Sequence, residues 1–299
     1  MYYLVLLMAV LMFTAQFAFT NIYGERVRQS LTQTLVMILL TGILGAVMYW
    51  VMGGFRIAFS GSLLFYAAAF ALVMIPYYVL GIQVLSVGSV ALYSMFMMLG
   101  GMALPFAYGV IFLNEPLTLG KGIGCVTLSL AILMQALTQQ KQERGKTEKK
   151  GLFILLCLAI FILNGLTGVI AKAYAISIER PDEMGFTVVS CLLTAIFSGV
   201  LLLGVGVKQK QALKTEVKKA FQPAVLGCIL DIGIFTHTGN FLHLKAAAHL
   251  PASIQFPMVS GGVIVFSAMV SAGIFKEKIS KKEWISVAIA CFSTVLFAF

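Results

Sequence analysis

Gln139-Gln140-Lys141-Gln142-Glu143-Arg144-Gly145-Lys146-Thr147-Glu148-Lys149-Lys150 is a segment that belongs in water: it holds five cations, two acids and no apolar side chain. Before it come 138 residues and after it 149, and both flanks are overwhelmingly apolar. The chain therefore divides into two similar halves, residues 1–138 and 152–299, hinged on a basic polar linker at 139–151.

Outward from the linker the composition is 60% hydrophobic and 11% charged, against roughly 45–50% and about 25% in a soluble domain. Runs of about 20 apolar residues read as membrane-crossing helices. Period-two alternation is missing, which excludes strands of a membrane barrel. The first run begins at Tyr2 with no basic residue ahead of it, so it is expected to be a permanent span rather than a cleaved signal peptide. A net charge of +10 would suit nucleic acid if it were clustered on a soluble surface. Here the cations sit in loops, where they orient the chain and meet lipid headgroups. The five cysteines, Cys125, Cys157, Cys191, Cys228 and Cys291, fall inside apolar runs with no CxxC or histidine pairing and read as small packed hydrophobes.

Ten spans fit, at 2–21, 31–51, 61–82, 88–112, 119–138, 152–174, 184–205, 222–244, 251–274 and 283–299. Two longer polar loops interrupt them: the linker, and Lys208 to Lys219 with five lysines. Loops after odd-numbered spans hold sixteen cations: Arg26, Arg28, Lys141, Arg144, Lys146, Lys149, Lys150, Lys208, Lys210, Lys214, Lys218, Lys219, Lys276, Lys278, Lys281 and Lys282. Loops after even-numbered spans hold only Arg56, Lys121, Arg180 and Lys245. Cationic loops stay cytoplasmic, which predicts both termini outside. The expected location is the inner membrane of a bacterium.

The halves also match internally. A shift of 162 residues brings Leu80 onto Leu242, Gly100 onto Gly262 and Glu115 onto Glu277. Five spans per copy is an odd number, so the second copy enters the membrane upside down. The predicted fold class is an all-α integral membrane protein of ten transmembrane helices in two inverted five-helix repeats, an arrangement that places a site near the midplane between copies.

Leu113-Asn114-Glu115-Pro116-Leu117-Thr118, followed by Gly124, resembles the GE-x-L-T…G signature of the drug/metabolite transporter superfamily in its EamA-like branch. Lys276-Glu277-Lys278-Ile279-Ser280 looks like its second copy, and Asn164-Gly165 with Ala171 and Lys172 is similar to the family's first-span pattern. The resemblance spans the whole chain and implies a ten-helix exporter or exchanger of small metabolites. In the family the first, third and fourth helices of each half line the pathway. The chain departs from that pattern in three places. Thr14 to Gln16 stand where Trp-Gly is usual, Ser286 replaces a glycine of the final span, and Pro105 and Pro257 are not equivalent positions. Family members usually keep both termini cytoplasmic, against the charge count here.

Polar residues inside the apolar spans nominate the site. Asp231 is the only carboxylate deep in a span, and placing it there costs at least about 2.5–3.5 kcal/mol on insertion scales. It is the first proton-coupling candidate, with His237 the second. Asp231, Thr238 and Lys245 share one face of their helix and His237 and Asn240 an adjoining one. Lys172 shares a face with Asn164, and three uses are open to it: pairing with Asp231, binding an anion, or reaching to the interface. In the first half Thr14 and Asn21 share a face, with Gln16 beside them. Tyr78, Tyr93, Gln255 and Phe256 would line an organic-substrate path, and Tyr93 corresponds to Gln255 under the 162 shift. The expected substrate-binding set is thus Thr14, Gln16, Asn21, Tyr78, Tyr93, Asn164, Lys172, His237, Asn240, Gln255 and Phe256. Each also has a plainer use as glue between helices or as an interfacial aromatic.

No HExxH, GxSG or GxxxxGK[ST] motif occurs, and the one aspartate besides Asp231 is Asp182, outside the spans. The reading is therefore a secondary transporter of small organic metabolites or drugs working by alternating access, proton-coupled or by plain exchange, and not an enzyme. Its partners would be a small-molecule substrate, the lipid bilayer and protons, without cofactor, metal or nucleic acid. Ten helices can enclose a cavity unaided, so a monomer is expected and a dimer is the variant. An intramembrane lipid-modifying enzyme and a non-transporting scaffold subunit are the alternatives.

Overall fold

A computed structural model describes residues 2–27, 30–87, 90–142, 150–177, 182–208, 210–274, 276 and 280–297. Arg28, Arg144, Lys146, Lys149, Arg180, Glu277 and Lys278, all named above, lie outside the described residues. All regular secondary structure among the described residues is α-helical. In order come α1 (Tyr2–Arg26), α2 (Leu31–Met52), α3 (Gly61–Val87), α4 (Val90–Phe112), α5 (Leu119–Gln142), α6 (Lys150–Ser177), α7 (Glu183–Lys208), α8 (Lys210–Ala220), α9 (Pro223–Ala247), α10 (Ala252–Gly273) and α11 (Lys281–Leu296). Among the described residues nine helices, α1 to α7 with α9 and α10, are long and apolar enough to cross a membrane. Their outward faces carry large apolar side chains such as Phe65, Phe112 and Leu203, a surface suited to hydrocarbon and not to water.

One sequence expectation is corrected, and the last expected span is seen only in part. The lysine-rich segment expected to be a loop is helix α8, because Leu213, Val217 and Ala220 recur at helical spacing among the lysines. Those three pack against Tyr23, Val27, Leu35 and Val225, while Lys214 and Lys218 stay exposed. The tenth expected span corresponds to α11, whose 16 residues reach only about 24 Å at 1.5 Å each, short of a roughly 30 Å hydrocarbon core. It starts at Lys281, earlier than expected, because Ser280 and Glu283 form a reciprocal capping box. The linker's ends are also helical, α5 running to Gln142 and α6 starting at Lys150.

Loops are fixed by a few polar residues. Ser30 caps α2 by accepting from the Gln33 amide. One oxygen of Asp182 accepts from the Gly185 amide at the start of α7, and the other from the Ala58 amide in the loop after α2. A single carboxylate thus ties the two halves together.

The helices pack mostly across the halves. α1 lies along α9 and α10, α6 along α3 and α4, α2 along α7 and α9, α3 also along α7, and α5 along α11. Lipid supplies no hydrophobic drive between helices, so close approach must come from small residues. Gly100 on α4 has its Cα pressed against the Phe161 carbonyl of α6, and Gly262 on α10 faces Val10 of α1. The largest buried cluster, with Met102, Leu128, Ile132 and Ile264, joins α4, α5, α10 and α11. The rest of the bundle, around α2, α7 and α9, encloses the cavity.

Candidate functional site

α2, α3, α7 and α9 line most of this cavity, closed off by Ala171 of α6 and by Gln255 and Phe256 of α10. It offers about 110 Å³ in which a water-sized sphere can sit, against roughly 10–15 Å³ for a single water. Its walls combine the aromatic rings of Tyr49, Phe70, Tyr78, Phe186 and Phe256 with hydroxyl, amide and imidazole groups. No Asp, Glu, Lys or Arg is among the lining residues described.

On α7 the polar contribution is a stripe: Thr187, Ser190, Cys191 and Thr194 all line the cavity, at the three- and four-residue steps of one helical face. Thr187 and Thr194 donate to carbonyls one turn back, of Glu183 and Ser190. The Ser190 hydroxyl has no hydrogen-bond partner among the described residues. On α9, His237 is buried. Its Nε2 lies 2.8 Å from the Thr41 carbonyl oxygen and its Nδ1 lies 3.7 Å from the Cys191 sulfur. A carbonyl only accepts, so Nε2 carries the proton and Nδ1 faces the thiol. The Tyr49 hydroxyl donates to the His237 carbonyl, and Gly45 makes the room: a methyl group there would collide with the imidazole. His237 is thereby locked between α2 and α7.

Two turns further, the His243 ring sits edge-on between Phe13 of α1 and Phe256 of α10, with centroids 6.1 and 4.9 Å away. Its Nε2 is buried and has no hydrogen-bond partner among the described residues. Gln255 is fully buried. Its Nε2 donates to the His243 carbonyl at 2.9 Å, leaving Oε1 unpartnered.

The structure brings five of the nominated residues to this cavity: Tyr78, His237, Asn240, Gln255 and Phe256. The others stand elsewhere. Thr14 donates to the Val10 carbonyl in its own helix, the Gln16 amide to the Thr20 hydroxyl, and Asn21 is exposed. Tyr93 packs against Gly81. Asn164 donates to the Met97 carbonyl and holds α6 to α4. Lys172 pairs with neither Asp231 nor the interface: its Nζ donates to the carbonyls of Ala247 and Leu250, at 2.6 and 2.7 Å. Asp231 lies on the side of α9 that meets α1, where Phe235 stacks on Phe19 and Arg26 reaches the Ala224 carbonyl. No hydrogen bond or ion pair among the described residues reaches its carboxylate.

Sequence reading missed Ser190, Cys191, Thr194 and His243. The α7 stripe was visible as small polar residues at helical spacing. His243 stands near the end of its helix and reads there as an interfacial histidine.

No family model matches the sequence, and no curated protein matches it. Among solved structures 28 chains match. One is a crystal structure that superposes with a TM-score of 0.75 at 13% identity, over 98% of this chain and 94% of that one. The chain therefore shares its fold, over nearly its full length, with a protein of known structure.

Proposed function

We propose that the chain is a secondary carrier of small uncharged organic molecules, built from two inverted five-helix repeats that rock about the α2–α7–α9 cavity. The observation that carries this reading is an interchange in the packing. Matching the halves pairs α1 with α6, α2 with α7, α3 with α9, α4 with α10 and α5 with α11, with α8 as an insertion. Under that exchange the contact of α1 with α9 becomes that of α6 with α3, and α1 with α10 becomes α6 with α4. The contact of α2 with α9 becomes that of α7 with α3, while α2 with α7, α4 with α10 and α5 with α11 map onto themselves. Gly100 against α6 and Gly262 against α1 follow the same rule, 162 residues apart. Such an arrangement has two related packings of similar energy, one open to each side, with the site between the copies. The resemblance to the drug/metabolite transporter superfamily points the same way.

The test starts with thermal unfolding of purified protein against a metabolite panel, since a ligand at 100 times its Kd adds about 2.7 kcal/mol. Compounds that stabilise are then loaded into proteoliposomes. A carrier shows saturable uptake of labelled compound that speeds up when unlabelled compound is trapped inside. Stabilisation without such counterflow would leave a binding or scaffold subunit. Conversion of the compound in detergent, with no vesicle present, would make the protein an enzyme.

A further inference from the structure

We propose that the cavity takes a small, uncharged, planar heterocycle bearing an N–H donor, held by Ser190, His243 and Gln255. Its role as cargo rests on the carrier reading above. Four buried side-chain atoms have no hydrogen-bond partner among the described residues, and three of them, Ser190 Oγ, His243 Nε2 and Gln255 Oε1, belong to residues that line this one cavity. The fourth, Ser253 Oγ, lies outside it. An unanswered buried polar group is costly, and replacing it by an apolar one of similar shape is neutral or stabilising. Each of the three atoms is itself covered and not open to the void, so a ligand in the cavity supplies the missing partner when the side chain turns toward the space its residue lines.

Each group states what the ligand must bring. The amide of Gln255 cannot be reversed, because that would set Oε1 against the His243 carbonyl, oxygen to oxygen. Its free end is therefore an acceptor, and the ligand must donate. Ser190 and the His243 Nε2 can each donate or accept, so a ligand with both kinds of edge satisfies all three. The His243 ring is aimed by two flanking phenylalanines rather than by its own hydrogen bond. The remaining walls, Phe70, Phe186 and Tyr78, offer ring faces and edges to a flat molecule. Charge is excluded by the same logic. No ionic side chain is among the described lining residues, and the adjacent Lys172 has its ammonium engaged by two backbone carbonyls. A carboxylate or ammonium ligand would be buried without a counter-ion.

The probes are uracil and adenine, set against benzoate and benzylammonium, with binding read as stabilisation of the purified protein. Ser190→Ala and His243→Phe are the variants, since each removes an unanswered polar atom without removing bulk. Without ligand they should melt at the same temperature as the parent or higher. They should bind uracil and adenine about three- to tenfold more weakly per lost hydrogen bond, and the charged probes should bind the parent more weakly than the bases do. The proposal is overturned if neither base stabilises the parent, if the charged probes bind as tightly, or if the variants bind the bases unchanged. Bases that bind through these residues yet show no counterflow would defeat the carrier reading and leave the site standing. Counterflow of another compound with the bases inert would do the reverse.

Discussion

Asp231 and His237 are six residues apart on α9, which at about 100° per residue leaves their side chains about 120° apart, and Asn240 stands about 180° from Asp231. His237 and Asn240 line the cavity while Asp231 lies toward α1. Binding at the cavity and proton coupling through Asp231, if both occur, are therefore separable on this helix. Asp231→Asn should leave the affinity for adenine within about twofold of the parent and abolish any acceleration of vesicle uptake by a pH gradient. A tenfold loss of affinity would move Asp231 into the binding site, and a retained pH response would remove it from coupling. The same contrast explains what could be read in advance. Polarity inside a span is visible in sequence, but the way it is answered depends on neighbours. The Thr14 hydroxyl bonds its own helix, Asn164 the Met97 carbonyl on a neighbouring one, and Lys172 two carbonyls at a turn. Where no described protein group answers, as at Gln255 Oε1, a polar residue is left free for a ligand.

At the scale of elements the turn between α9 and α10 is clasped from two sides. The Glu115 carboxylate, from the loop after α4, accepts from the amides of Ala252 and Ser253 at 2.7 and 2.8 Å, a negative charge at the amino end of α10. Lys172 of α6 holds the carbonyls of Ala247 and Leu250 at the end of α9, a positive charge where a helix favours one. The clasp sets the angle at which Gln255 enters the cavity wall. Glu115→Gln keeps the shape but can accept from the two amides only through a neutral oxygen. It should cost about 1–3 kcal/mol, the difference expected for losing charge-assisted bonds to buried amides, read as a lower unfolding temperature in detergent. An unchanged melting curve would mean that the turn is held by its own packing alone. Glu115 was visible as the acid that the 162-residue shift sets onto Glu277, but its partner, a helix amino end 137 residues away, was not. Helix α8 failed for a related reason: its lysines dominated the composition while Leu213 and Val217 decided the structure.

For the whole molecule, the packing and the charge speak to different questions. The halves interlock so that most extended helix contacts cross between them, and no choice of membrane face alters that. Which end faces the cytoplasm is a matter of the loops: ten alternating spans, as expected from the sequence, would put sixteen cations on one side and four on the other. α8 belongs to the cationic side and lays Lys214 and Lys218 outward, where an anionic leaflet would gain about 1 kcal/mol per lysine near its surface. At that face the helix would lie in the interface with Leu213 and Val217 turned to the bundle. A reporter active only in the cytoplasm should accordingly be silent when fused after Phe299 and active when inserted in the linker at residues 143–149. The opposite pair of results would place both lysine-rich segments outside and both ends of the chain in the cytoplasm, and show that helix packing outweighs the charge bias.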